Sequence, residues 1–245
     1  MPVPGLYWAD AASIGPVQAR YWHILVCLCL SHSCQNGNDG SNAQLCQYDK
    51  EKVGLQWHYC EKCHVSAPPR THHCPVCDVC ILKRDHHCFL LAVCIGYFNQ
   101  RFFIVLSFYL LIGCAYGKYL VYSYLCNHFF SGCDYWDLFL PCTLYRCVFG
   151  DISFHVLLMM FHMYFLWMGA MLGFGFLFGQ LTLVSMGKTS NEASKQVRMS
   201  STATLPENFQ DVFGDFWMLN FIFPTNLLFR QKSDGTQWKG LIIFD

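Results

Sequence analysis

Two long apolar runs decide most of what this chain can fold into. Phe102 to Cys126 is interrupted only by Lys118, and Ile152 to Met186 is longer still. A helix needs roughly 20 apolar residues to cross a bilayer, and both runs exceed that. Buried helices of a large soluble core are the competing reading. Such a core needs a polar shell, yet charged residues make up 13% of the chain against 54% hydrophobic, about half the charge a soluble surface carries. Lys118 lies near the far end of its run and can snorkel to the interface. The excess length of the second run places part of it at the interface or in a tilted span. The expected fold is therefore a mainly α integral membrane protein with transmembrane helices over 102–126 and 152–186. The N-terminal segment, 1–59, holds a weaker apolar stretch at 21–31. It is too short to span alone, so it reads as part of a span, a signal-like segment or a surface helix.

Charge sets the orientation. Lys83, Arg84 and Arg101 precede the first run, and Lys188, Lys195 and Arg198 follow the second. The loop between them, 127–151, carries Asp134, Asp137 and Asp151 against Arg146. The positive-inside rule then puts residues 60–101 and the tail, 187–245, in the cytosol and the loop on the far side. Glycines four apart (Gly113 and Gly117, Gly169 and Gly173, Gly175 and Gly179) would let helix backbones approach closely, or simply reflect how common glycine is in such helices. A formal net charge of zero argues against a nucleic-acid partner.

Sixteen cysteines could build a disulfide scaffold. Seven of them, however, fall between Cys60 and Cys94 with five histidines among them, which is metal-ligand spacing. Thiolates two residues apart bite one ion from a tight turn, and zinc takes four sulfur or nitrogen ligands. Two closed sites are filled by Cys60, Cys63, Cys74, Cys77, Cys80 and Cys94 with one histidine from each His-His pair. Cys88 is left over, directly after Asp85, His86 and His87. One explanation is catalytic: an imidazole takes the thiol proton and Asp85 holds His86 in the required tautomer. The other is a further metal ligand or an inert thiol in a structural finger. Spacing admits both.

The whole pattern, from Cys60-x2-Cys63 through His73-Cys74, Cys77, Cys80, Asp85-His86-His87-Cys88 and Cys94 to Asn99 and Phe103, resembles the cysteine-rich signature of the DHHC protein S-acyltransferases. Thr189-Ser190-Asn191-Glu192 is similar to that family's Thr-Thr-x-Glu motif, with a serine hydroxyl able to keep a local hydrogen bond. Asn208 to Gly214 resembles its C-terminal element, in which the asparagine is structural. The resemblance implies a mainly α membrane protein carrying a cytosolic two-zinc module of short β-hairpins and loops. It implies that Cys88 is the nucleophile, His86 its base and Asp85 the orienting carboxylate. One zinc would be held by Cys60, Cys63, His73 and Cys80, the other by Cys74, Cys77, His87 and Cys94.

The implied reaction moves a long-chain acyl group from acyl-CoA (palmitoyl-CoA) to Cys88 and then to cysteines of cytosolic or peripheral membrane proteins. The implied location is an endomembrane, Golgi or endoplasmic reticulum. Lys83 and Arg84 could meet the CoA phosphates or serve as interfacial charges. Family members usually place two spans ahead of the module, whereas only 21–31 precedes it here, so the expectation is a shortened chain or a differently built acyl cavity. A zinc-dependent membrane adaptor with an idle Cys88 is the alternative function.

Overall fold

The computed structural model describes residues 57–129, 136, 138–200, 202–215, 217–220, 235–238 and 242–244; the apolar stretch 21–31 lies outside them. The chain divides into two compact units, one of residues 1–106 and 180–245, the other of residues 107–179.

The first unit begins with three β-hairpins. Strands β1 (His58–Cys60) and β2 (Val65–Ala67), β3 (His72–Cys74) and β4 (Val79–Ile81), and β5 (His86–Cys88) and β6 (Val93–Ile95) pair antiparallel. They start at residues 58, 72 and 86, an interval of 14, and their registers are equivalent: Cys60 faces Val65, Cys74 faces Val79 and Cys88 faces Val93. Each connection ends on a residue in the left-handed region, His64, Asp78 or Ala92, with φ of 55°, 54° and 54°. A non-glycine residue there costs roughly 1–2 kcal/mol, and a lone two-stranded sheet is marginal in water. Three-residue strands cannot carry that cost alone, so the hairpins need an added cross-link.

The helices begin where the third hairpin ends. Asn99 accepts from the Gly96 amide at 2.8 Å and donates to the Cys94 carbonyl at 2.9 Å. It thus ties β6 to the first turn of α1 (Gln100–His128). A Cβ on Gly96 would lie 2.7 Å from an Ile81 methyl and 2.8 Å from the Leu82 carbonyl, so only glycine lets the second and third hairpins pack. The second long helix, α3 (Phe154–Ser185), stops at Gly187 (φ 66°). There the Gly187 amide donates to Val184 and the Lys188 amide to Leu183, a Schellman ending that glycine permits.

In the second unit, α1 and α3 approach through small residues. A Cβ on Gly173 would meet the Leu111 nitrogen at 2.7 Å and the Ser107 carbonyl at 3.0 Å, and one on Gly169 would meet the Cys114 sulfur at 2.7 Å. Gly117 packs on Leu166, whereas Gly175 and Gly179 face open space. Of the two glycine pairs on α3, Gly169 and Gly173 therefore form an interface, and Gly175 and Gly179 meet nothing among the described residues. The loop expected over 127–151 contains a short helix, α2 (Leu140–Val148). The Tyr164 hydroxyl holds its approach by donating to the Leu138 carbonyl at 2.8 Å. Helices α1 and α3 contain 29 and 32 residues, about 44 and 48 Å at 1.5 Å per residue. Their apolar windows are only 17% and 28% buried. Such helices face lipid; they are not the covered core of a soluble protein.

The chain then returns to the first unit. Helices α4 (Ser190–Ser194), α5 (Leu205–Phe213) and α6 (Trp217–Asn220) follow, and β7 (Arg198–Ser200) pairs with β8 (Ile242–Phe244). Asn208 on α5 donates to the Ser185 carbonyl at 3.2 Å and lies over Gly187. The C-terminal element thereby caps α3.

Candidate active site and metal centres

Each metal cluster is shared between consecutive hairpins. Cys60 and Cys63 of the first meet His73 and Cys80 of the second, and Cys74 and Cys77 of the second meet His87 and Cys94 of the third. In both sets the donor atoms lie within 4.8 Å of one another. Zinc with 2.3 Å bonds to sulfur sets tetrahedral edges of about 3.8 Å. The second cluster gives 3.6 Å between the Cys77 and Cys94 sulfurs, and 3.3, 3.6 and 3.8 Å from His87 Nδ1 to Cys77, Cys94 and Cys74. Cys63 lies 3.2 Å from His73 Nδ1 in the first. The donor sets and spacing fit a tetrahedral thiophilic ion. Burial, with the neighbouring sulfurs, pushes the Cys80 and Cys94 thiols up. One thiol of each trio goes the other way: the Cys63 amide leads in lowering Cys60, and at Cys74 burial is outweighed by the Cys77 amide and the Cys94 sulfur. The eight residues expected as ligands are all brought together, and Cys88 belongs to neither cluster.

The reason lies in the repeat. Backbone amides two and three residues onward point at the sulfur of Cys60 (Lys62, Cys63), of Cys74 (Val76, Cys77) and of Cys88 (Leu90, Leu91). All three cysteines therefore sit in the same knuckle-shaped turn. In the first two the residue three onward is a second cysteine; in the third it is Leu91. Cys88 keeps the amide donors that favour a thiolate but has lost the chelating partner.

Its neighbours supply the rest. His86 Nδ1–H donates to Asp85 Oδ2 at 2.7 Å, and the imidazole lies close enough to the Cys88 sulfur to bear on its ionisation. Burial opposes the charged ring, but Asp85 and the Cys88 sulfur outweigh it and raise His86 to about 9. Burial likewise works against the Cys88 thiolate, and the His86 bond and the Leu90 and Leu91 amides overcome it, so that the thiol is lowered. Both shifts act in the direction of an imidazolium–thiolate pair. Phe103 packs edge-on against His86 at 5.0 Å and restricts the ring.

Asp85 is 1% exposed. Its Oδ1 accepts from the Ser190 amide at 2.7 Å, and its Oδ2 accepts from the Ser190 hydroxyl at 2.9 Å and from Gln180 Nε2 at 2.6 Å. The Ser190 hydroxyl thus reaches across 105 residues in sequence, where a local bond was expected; Thr189 makes the local one as N-cap of α4. Glu192 closes that capping box and also grips Arg70, with Nε and Nη2 at 2.6 and 2.8 Å.

Of the two cations considered for CoA phosphates, Lys83 is only 6% exposed. It lies against the Trp238 ring at 4.8 Å, with Arg70 over the same ring at 4.7 Å. Burial, with Arg70 nearby, lowers it to about 7. An ammonium spent inside the fold is not presented to a phosphate; Arg84 is the half-buried member of the pair. Gln180 and Arg70 escaped the sequence reading. The signal for Gln180 was a lone amide near the end of an otherwise apolar run, where a polar group is costly unless it is used.

A family model described as DHHC palmitoyltransferase matches residues 54–197. Among curated proteins, Palmitoyltransferase ZDHHC22 of Danio rerio is 34% identical over 137 residues, 53% of this chain and 48% of that protein. The chain thus matches about half the length of that relative.

Proposed function

Because the chain belongs to the DHHC palmitoyltransferase family, we propose that it is a protein-cysteine S-acyltransferase, with Cys88 as nucleophile, His86 as acid–base and Asp85 as the carboxylate that orients His86. The observation that carries this reading is a buried thiol outside both metal clusters, beside an imidazole that is itself held by a buried carboxylate.

The Cys88 thiolate attacks the carbonyl carbon of a long-chain acyl-CoA. A new carbon–sulfur bond forms to Cys88, the bond to CoA breaks, and the departing CoA thiolate takes the proton from the His86 imidazolium. His86, now neutral, accepts the proton of an incoming protein cysteine, whose thiolate attacks the acyl-Cys88 thioester. Cys88 leaves as a thiolate and the starting ion pair is restored. Asp85 keeps the ring in one tautomer throughout. Bond type hardly changes, so positioning and thiolate supply account for most of the catalysis. Cys60, Cys63, His73 and Cys80 would hold one zinc and Cys74, Cys77, His87 and Cys94 the other; bound there, the ions supply folding energy and rigidity to the module.

The acyl chain favours lipid or a dry cavity by about 0.8 kcal/mol per CH₂, which suits a thiol on a module that runs directly into a membrane helix. We place the module and tail in the cytosol, the 127–151 loop on the far side and the protein in Golgi or endoplasmic reticulum membranes. Cys126, at the far end of α1, is disulfide-bonded, which supports an oxidising compartment on that side. The described cysteines of the module are free.

Incubating the purified chain in detergent with a radiolabelled palmitoyl thioester tests the reading. A hydroxylamine-labile label is expected on the parent and none on Cys88→Ser, with equal zinc content in both. Label persisting in Cys88→Ser, or a parent that takes none, would leave the zinc-dependent adaptor.

A further inference from the structure

Asp85 is held from two directions, and one of them comes from the membrane helices. Gln180 stands five residues before the end of α3, is 4% exposed and lies in a helix without Asp, Glu, Lys or Arg. Its Nε2 donates to Asp85 Oδ2 at 2.6 Å, and its Oε1 accepts from Gln100 Nε2 at 3.1 Å. Gln100 is the first residue of α1 and is buried.

We propose that Gln180 is a positioning residue of this site, fixing the Asp85 carboxylate against His86, and that Gln100 sets the sense of the Gln180 amide. The inference rests on the transferase reading and adds residues to its machinery. An isolated glutamine can present either its oxygen or its nitrogen. The Asp85 carboxylate only accepts, so the Gln180 NH₂ group turns to it, and the oxygen on the other side is held by the Gln100 donor. The chain of bonds therefore has one direction, from α1 through α3 to the carboxylate and on to His86. Three donors converge on Oδ2 and the Ser190 amide holds Oδ1. A carboxylate so saturated stays anionic and keeps its plane; its pull on His86 Nδ1–H leaves the other ring nitrogen for the sulfur. The neutral amide suits the place. A lysine would compete with His86 for the carboxylate, a glutamate would repel it, and an apolar side chain would take one donor from the carboxylate and the acceptor from the buried Gln100 amide.

The test is single-turnover acyl-enzyme formation with palmitoyl-CoA, on the full chain in detergent, with zinc measured on the same samples. Gln180→Met keeps the volume and removes the donor. It is expected to slow acylation at saturating donor by roughly ten- to a hundred-fold, with the half-saturating concentration and the zinc content unchanged. Gln180→Glu can donate only when protonated, so its rate relative to the parent is expected to recover as pH falls. Gln100→Leu frees the amide to flip and is expected to lose less than Gln180→Met. Parent-like acylation by Gln180→Met overturns the inference, as does a loss equal in the Met and Glu variants at every pH and accompanied by lost zinc, which marks packing alone. A parent that takes no label overturns the transferase reading and this inference with it, whereas a labelled parent beside an unaffected Gln180→Met overturns this inference alone.

Discussion

Cys88 occupies, in the third hairpin, the position that Cys60 and Cys74 occupy in the first two. A turn suited to a metal thiolate is thereby available to a free one: amide donors and rigidity are retained, and the chelating partner is replaced by Leu91. The equivalence of the three turns predicts the effect of restoring that partner. In Leu91→Cys, added zinc should suppress alkylation of Cys88 by a maleimide, because a two-residue spacing again bites a metal, while the parent stays insensitive. Zinc-independent alkylation of the variant would show that the third turn differs from the first two. At this scale the sequence alone identified Cys88 as surplus, since counting ligands needs only spacing. Why it is surplus becomes visible once the 14-residue register is seen, because Leu91 is significant only by its equivalence to Cys63 and Cys77.

The elements are short and depend on one another. Hairpins of three-residue strands cannot persist singly, and the metal clusters join neighbours in series, with Gly96 allowing the second and third to touch. Gly96→Ala forces a methyl into the Ile81 side chain and the Leu82 backbone, and should destabilise the module by about 1–3 kcal/mol. Metal retention during a chelator titration measures this: the variant should release zinc at lower chelator concentration. Identical release curves would mean that the hairpins accommodate the methyl. The long helices were legible because apolar length is a one-dimensional property. Which glycines form the contact was not, since Gly169 and Gly173 differ from Gly175 and Gly179 only in the direction each faces on the helix.

Across the first unit, the segment after α3 folds back on the hairpin region through Ser190 on Asp85, Glu192 on Arg70 and Trp238 against Arg70 and Lys83. Both members of the Arg70–Glu192 pair are nearly inaccessible, at 4% and 3% exposure. Removing one leaves the other as an uncompensated buried charge, so Glu192→Ala should cost about 3–5 kcal/mol. It should lower the thermal midpoint in detergent and slow acylation together, because the same clamp sets Ser190. The double variant Arg70→Met, Glu192→Met should recover much of the stability; a double variant as unstable as Glu192→Ala would show that the cost is lost packing and not stranded charge. Sequence by itself determined the two apolar helices, the ligand types and their number, and the surplus thiol, because hydrocarbon thickness and tetrahedral coordination act on length, composition and spacing. The tertiary structure alone decided that Gln180 and Ser190 meet Asp85, that Arg70 meets Glu192 and that Lys83 is buried against Trp238, because hydrogen bonds and burial depend on which distant segments meet.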